Sequence, residues 1–252
     1  MINHISIVIS TRNSVNYVDK CLESALSQKY SDYEIIFIDA QSNDGTYERA
    51  KSYEVNNKNI RVIQNDVRKY QGENILIGTK MSPHNSIIVT LDGDDWLSNE
   101  NVLSKINSVY NETDCWMTYG TYVEYPYRDV SKHYHEYPIE VRKNKTFRQY
   151  KWLASHLRTF KRELFLKINP NDMKDPTTGD FVSMAPDLSF QLPMLEMCGE
   201  NKSIYIPEIL YVYNTENPMN EHKINAKEQE RIANFLRSKE PYKSLKNLYE
   251  NE

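Results

Sequence analysis

The sequence predicts an α/β fold: a mostly parallel sheet with helices on both faces. Three observations predict it. Short β-branched, apolar runs alternate with helix-period segments through roughly the first 95 residues. Those runs are continuous rather than alternating, as in strands covered on both faces. Each also ends in a polar or acidic cluster, and ligands of open parallel sheets bind beyond the carboxyl ends of the strands.

Ile5-Ser6-Ile7-Val8-Ile9 predicts the first strand, which ends at Ser10-Thr11-Arg12-Asn13. Val15, Val18, Cys21, Leu22, Ala25 and Leu26 then recur at three- and four-residue spacing, which predicts an amphipathic helix with Asn13 or Ser14 as its cap. Glu34 to Ile38 is the second strand, ending at Asp39, and the turn formers from Ala40 to Thr46 lead into a short helix from Tyr47 to Tyr53. Ile60 to Ile63 is the third strand, and a helix is predicted over Glu73 to Met81. The fourth strand, Ser86 to Leu91, runs into Asp92-Gly93-Asp94-Asp95.

The second half is less regular. Trp116 to Val123 reads as one strand, and Tyr125 to Tyr137 as a loop rich in Tyr, His and Arg. Helices are predicted over Phe147 to His156, Lys161 to Ile168 and Leu188 to Met197. Short strands follow at Ile204 to Pro207 and Ile209 to Tyr213, and a charged helix at Ala226 to Leu236. No internal repeat, low-complexity tract or linker interrupts the chain, so one domain over 1–252 is expected.

In a parallel sheet the clusters Thr11 to Asn13, Asp39 and Asp92 to Asp95 converge on one crevice, although they are far apart in sequence. Three carboxylates within four residues repel one another unless a cation compensates. Mg²⁺ and Mn²⁺ take such oxygen ligands and keep positions open for phosphate oxygens. Gly93 allows a ligand close to the backbone. A plain helix-capping turn is the other reading of this cluster. Asp39 accepts hydrogen bonds, from a base or ribose or from its own turn.

These segments resemble a known family. Glu34 to Thr46, with Asp39, Asp44 and Gly45, is similar to the second-strand signature of the family 2 glycosyltransferases; Ser10-Thr11-Arg12-Asn13 resembles their first-strand ending, and Leu91 to Leu97 their metal motif. Asp66 and Asn74 match polar positions after the third strand. The resemblance covers roughly residues 4–215. It implies a GT-A-type, Rossmann-like mixed sheet, mostly parallel and flanked by helices. Residues 1–97 would form a nucleotide-sugar-binding half, 98–215 an acceptor-binding half and 216–252 a helical tail. It also implies an inverting transfer of a hexose or N-acetylhexosamine from a nucleotide-sugar, a UDP-sugar first among them, to a glycan, lipid-linked or protein acceptor.

By the same resemblance Thr11, Arg12 and Asp39 hold the nucleoside and Arg68 reaches a phosphate. Asp92 lies near the ribose and the Mn²⁺ or Mg²⁺, Asp94 ligates the metal directly, and a late histidine, His222, is a further metal ligand. Ala40-Gln41 and Leu76 depart from the family pattern. The base is expected at Asp187 in Ala185-Pro186-Asp187-Leu188, where Pro186 replaces a usual acid. A carboxylate there can take the acceptor's proton, and it equally reads as a helix N-cap. Trp152, His156 and Arg158 resemble the family's acceptor side; Trp152 reads as a sugar platform or as core. The tyrosine-rich loop from Tyr119 to Tyr137 is expected to form part of the acceptor wall.

Two other functions compete. A nucleotidyltransferase needs a Gly-rich loop after the first strand, and Ser10 to Ser14 holds no glycine. A binding domain of the same fold that has lost activity is the other. No Gly-x-Gly-x-x-Gly follows a strand, which disfavours a dinucleotide dehydrogenase. The net charge of −4 without a basic stripe disfavours nucleic acid. Cys21, Cys115 and Cys198 are odd in number and widely spaced, as reduced core thiols are. No signal peptide and no apolar run of spanning length is visible, so a cytoplasmic protein is expected, with a homodimer as one form.

Overall fold

A computed structural model describes residues 1–218 and 225–249. In chain order the elements are β1 (Ile5–Thr11), α1 (Val18–Leu26), β2 (Tyr33–Asp39), α2 (Thr46–Glu54), β3 (Ile60–Gln64), α3 (Gln71–Met81), β4 (Ile87–Asp92), β5 (Trp96–Leu97) and α4 (Val102–Thr113). Then follow β6 (Met117–Gly120), β7 (Val123–Tyr125), α5 (Ile139–Asn144), a 3-10 turn at Thr146–Arg148, β8 (Ser155–Lys161) and α6 (Arg162–Leu166). A second 3-10 turn at Pro170–Met173, α7 (Pro186–Cys198), β9 (Ser203–Ile206), β10 (Tyr211–Asn214) and α8 (Ala226–Ser238) complete them.

Among the described residues one sheet has the order β3-β2-β1-β4-β8-β6-β9, and a smaller one the order β5-β10-β7. The first four strands are parallel, β8 runs antiparallel to both β4 and β6, and β9 is parallel to β6. The parallel part is what the alternation of elements predicts, and the mixed sheet is what the family resemblance implies. Side chains alternate across a strand, and the apolar runs bury both sets. Ile5, Ile7 and Ile9 of β1 join Phe37, Val89 and Leu91 in a core with α1 and α4. Val8 joins Ile36, Ile38 and Ile88 in the opposite core with α3, α6 and α7. Gly78 lets α3 approach β1: a Cβ there would lie 2.4 Å from Val8 Cγ1.

Four elements differ from expectation. The predicted helix over Phe147 to His156 is the 3-10 turn followed by coil, and Ser155 already begins β8. β8 lies inside the sheet with six of its seven residues buried, so its polar side chains lack the apolar signature of an interior strand. Thr159 is satisfied by the hydroxyls of Thr118 (2.6 Å) and Tyr110 (3.0 Å). The single strand expected over Trp116 to Val123 splits into β6 and β7, which belong to different sheets. α1 starts at Val18 without a side-chain cap, its entry set by the Ser14 carbonyl accepting from the amides of Tyr17 and Val18. In the expected acceptor wall, Tyr119 and Tyr137 are core residues, 0% and 1% exposed.

Candidate active site

The register of the parallel strands assembles the site. Thr11 stands beside Asp39, Asp39 beside Gln64, and Ser10 beside Asp92, so the carboxyl ends of β1 to β4 face one cleft. Its cavity measures about 320 Å³. Antiparallel β8 enters at the same edge: Thr90 pairs with Arg158, which carries Arg158 and His156 to the end of β4. The start of α7 brings Pro186 and Asp187 to the same cleft. Thr11, Arg12, Arg68, Asp92, Asp94 and Asp187 therefore line one cavity.

The acidic cluster is divided by role. Asp95 is 1% exposed and accepts from Tyr211 Oη (2.6 Å) and from the Asn214 amide (2.7 Å), tying the cluster to β10. Trp96 and Leu97 form β5 and pair with Val212 and Tyr211, completing the same anchor. Asp92 and Asp94 face the cleft. Gln71 Nε2 donates to Asp92 Oδ1, and Asn217 Nδ2 donates to Asp94 Oδ2 at 2.7 Å. Burial pushes the Asp92 carboxyl up to about 7, with Arg158 opposing and Asp94 and Asp187 adding to the rise. Burial likewise pushes Asp94 up and Asp95 well up. Gly93 serves packing: a Cβ there would lie 2.2 Å from Thr11 Cβ. Thr11 in turn donates to Ser14 Oγ at 2.6 Å.

Asp39 is fully buried behind Ala40, the cleft-lining residue after it. Its Oδ2 accepts from the Ser42 amide (2.9 Å) and Gln64 Nε2 (3.1 Å), while Oδ1 has no partner among the described residues. Asn74 is also fully buried and links Asn65 (2.8 Å) to Ser10 (3.0 Å), so it organises the strand ends. Asp66 accepts through its backbone carbonyl from Gln41 Nε2 at 2.9 Å. Arg68 stands 5.2 Å from the Tyr70 ring at the cleft.

Asp187 accepts from Arg158 Nη2 at 2.9 Å; the guanidinium is 9% exposed and the carboxylate 21%. His156 stacks on Tyr211, centroids 4.2 Å apart, and burial pushes it well below the usual imidazole range, so its ring is neutral. Tyr213, at the cleft, packs against Tyr122 (5.1 Å), which packs against Tyr134 (5.5 Å). Trp152 packs, part-buried, on the core. His222 lies outside the described residues. Gln71, Tyr213, Asn217 and Gln229 line the cleft without having been marked by sequence. Gln71 had a signal, as the first residue of a helix opening at a strand-end crevice; the other three depend on tertiary contacts.

Among the described residues no three His, Cys, Asp or Glu side chains converge on one cation position. Asp92 and Asp94 still suit a hard cation, being two desolvated carboxylates on one cleft wall whose neutralisation is favoured. No helix among the described residues is long and apolar enough to cross a membrane.

A mixed sheet with parallel β1 to β4, flanked by helices on both faces, is a fold of the GT-A type. The chain belongs to glycosyl transferase family 2, whose defining pattern matches residues 6–168. It is 28% identical over 127 residues to the glycosyltransferase GlyG of Streptococcus pneumoniae, a stretch covering 50% of this chain and 41% of that protein. S. aureus TarS 1-349 in complex with UDP-GlcNAc superposes with a TM-score of 0.64 at 18% identity, covering 84% of this chain and 58% of that one. The mannosyltransferase PcManGT of Pyrobaculum calidifontis, in complex with GDP-Man and Mn²⁺, gives 0.58 at 15% identity, covering 84% and 57%. At these identities the two structures share the fold with this chain.

Proposed function

We propose that this chain transfers a sugar from a UDP-sugar to an acceptor hydroxyl with inversion, assisted by a divalent cation. The observation that carries the reading is that Asp92, Asp94 and Asp187 line one cleft, with Arg158 beside Asp92 and bonded to Asp187. TarS was crystallised with UDP-GlcNAc and PcManGT with GDP-Man and Mn²⁺, which supports a nucleotide-sugar and a cation here.

The nucleoside lies at the ends of β1 and β2, where Thr11, Arg12 and Ala40 line the opening. Arg12 and Arg68 supply positive charge for the diphosphate. Asp94 and Asp92 would hold a Mn²⁺ or Mg²⁺, which when bound would neutralise the leaving diphosphate. The sugar then lies between these carboxylates and Asp187.

The acceptor oxygen attacks the anomeric carbon as the carbon–phosphate-oxygen bond breaks. Its proton passes to Asp187, and the electron pair of the broken bond leaves with UDP. Attack opposite the leaving group inverts the anomeric centre. Arg158 orients Asp187 through the 2.9 Å bond. The aromatic series Tyr213, Tyr122 and Tyr134 flanks this end and favours a carbohydrate-bearing acceptor, whose ring faces pack on aromatic side chains.

Titration of UDP with and without Mn²⁺ tests the reading, using wild type and Asp94→Ala. The expected result is Mn²⁺-dependent UDP binding that the variant loses. Equal UDP binding in all four conditions overturns the cation assignment, and absence of UDP binding by wild type overturns the donor.

A further inference from the structure

The C-terminal helix contributes to the cleft a residue that the strand-end motifs do not include. Gln229 of α8 lines the same cavity as Asp92, Asp94 and Asp187, although α8 lies outside the stretch matched by the family pattern. Its presentation is fixed. Asn225 Oδ1 accepts from the Glu228 amide at 3.2 Å and caps the helix. Arg231 pairs with Asp175, and Ile232 and Leu236 are buried at 0% and 2% exposure. Arg237 Nη1 donates to the carbonyls of Arg148 (2.7 Å) and Tyr150 (2.8 Å). A helix held at this many points presents Gln229 as part of the wall.

The position on the wall follows from the anchors. Asp175 lies in the segment leading to α7, and Phe181 of that segment packs on α3, where a Cβ on Gly72 would lie 3.6 Å from its ring. α8 also packs directly on α7. Gln229 therefore enters the cleft from the α7 side, and Pro186 and Asp187 at the start of α7 line the same cleft. In the proposed function the sugar extends toward Asp187 from a diphosphate that a cation at Asp92 and Asp94 would bind. Among the described residues nothing hydrogen-bonds the Gln229 side-chain amide. An uncharged amide offers two donors and one acceptor. That suits hydroxyl groups, which give and take hydrogen bonds, better than it suits phosphate or a cation.

We propose that Gln229 hydrogen-bonds a hydroxyl or N-acetyl group of the transferred sugar and is a specificity residue for the donor. The inference rests on the glycosyltransferase reading above. It is tested by calorimetry with UDP and with the tightest-binding member of a UDP-glucose, UDP-galactose, UDP-GlcNAc and UDP-GalNAc panel, in Mn²⁺, on wild type and Gln229→Ala. Alanine suits a helix and Gln229 is only half-buried, so the variant keeps the fold. The expected result is unchanged UDP affinity and a UDP-sugar affinity about three- to tenfold lower, the loss of one neutral hydrogen bond. Unchanged affinity for the UDP-sugar, or an equal fall for UDP and UDP-sugar, overturns the inference while the glycosyltransferase reading stands. Absence of UDP binding by wild type overturns that reading and this inference with it.

Discussion

Replacing Gly93 with Ala separates two roles for a glycine in an acidic cluster. If the glycine admits a ligand, the variant folds normally and loses binding. In this structure the added Cβ meets Thr11 instead, 2.2 Å from Cβ and 2.3 Å from Oγ1. Carbon atoms pack best at about 3.5–4.0 Å, so the shortfall is at least about 1.3 Å. Thr11 cannot yield cheaply. It is 6% exposed at the end of β1, and its hydroxyl donates to Ser14 Oγ at 2.6 Å. Overpacking of this kind costs about 1–3 kcal/mol, and loss of the Thr11–Ser14 bond adds about 1. Urea unfolding of Gly93→Ala is therefore expected to show a loss of about 2–4 kcal/mol. Thr11→Ala in the same background removes the Oγ1 contact but retains the Cβ at 2.2 Å, so it brings only partial relief. A Gly93→Ala protein within about 0.5 kcal/mol of wild type refutes the reasoning.

Other outcomes follow from the same geometry. Asp187→Asn keeps UDP affinity within about twofold and lowers transfer by about 10²–10⁴, measured by UDP release with acceptor present; undiminished transfer assigns the base elsewhere. The pair Arg148–Glu196, with side chains 3% and 0% exposed, joins α7 to the 3-10 turn before β8, and the Glu196 carboxylate also accepts from the Tyr242 amide at 2.9 Å. Glu196→Ala leaves a buried guanidinium and is expected to destabilise by about 3–5 kcal/mol in urea unfolding, more than any exposed ion pair would. The raised Asp92 sets a pH dependence. Its unfolded value is about 3.9 and its folded value about 7, so between them the folded state holds the extra proton. Without a cation its contribution to stability falls as pH rises through that window and levels off above it. Mn²⁺ must displace that proton, so its thermal stabilisation is expected to be larger at about pH 8 than at about pH 5.5; equal stabilisation at both contradicts the assignment.

The sheet's first half was legible because β1, β2 and β4 are unbroken apolar runs that end in Thr11, Asp39 and Asp92, and parallel pairing brings such ends together whatever their separation. β8 was not legible. Ser155 to Lys161 is polar in composition but interior in position, satisfied by Thr118, Tyr110 and Asp187 from three other elements, and a local pattern carries none of those contacts. The same limit hid the division of the acidic cluster. Nothing near Asp95 in sequence says that Tyr211 and Asn214 hold it. Gly93 read as a ligand-facing glycine because its neighbour Thr11 lies on another strand. Gln229 stood in a helix that reads as a charged tail, and only packing against Asp175 and α7 brings it to the cleft.

The most direct test of the account is nucleotide release from a panel of UDP-, GDP- and TDP-sugars, with Mn²⁺ and then with chelator. The account predicts slow release of UDP from one UDP-sugar, abolished by chelator and by Asp94→Ala. Release that continues unchanged in chelator, or release from a GDP- or TDP-sugar alone, contradicts it.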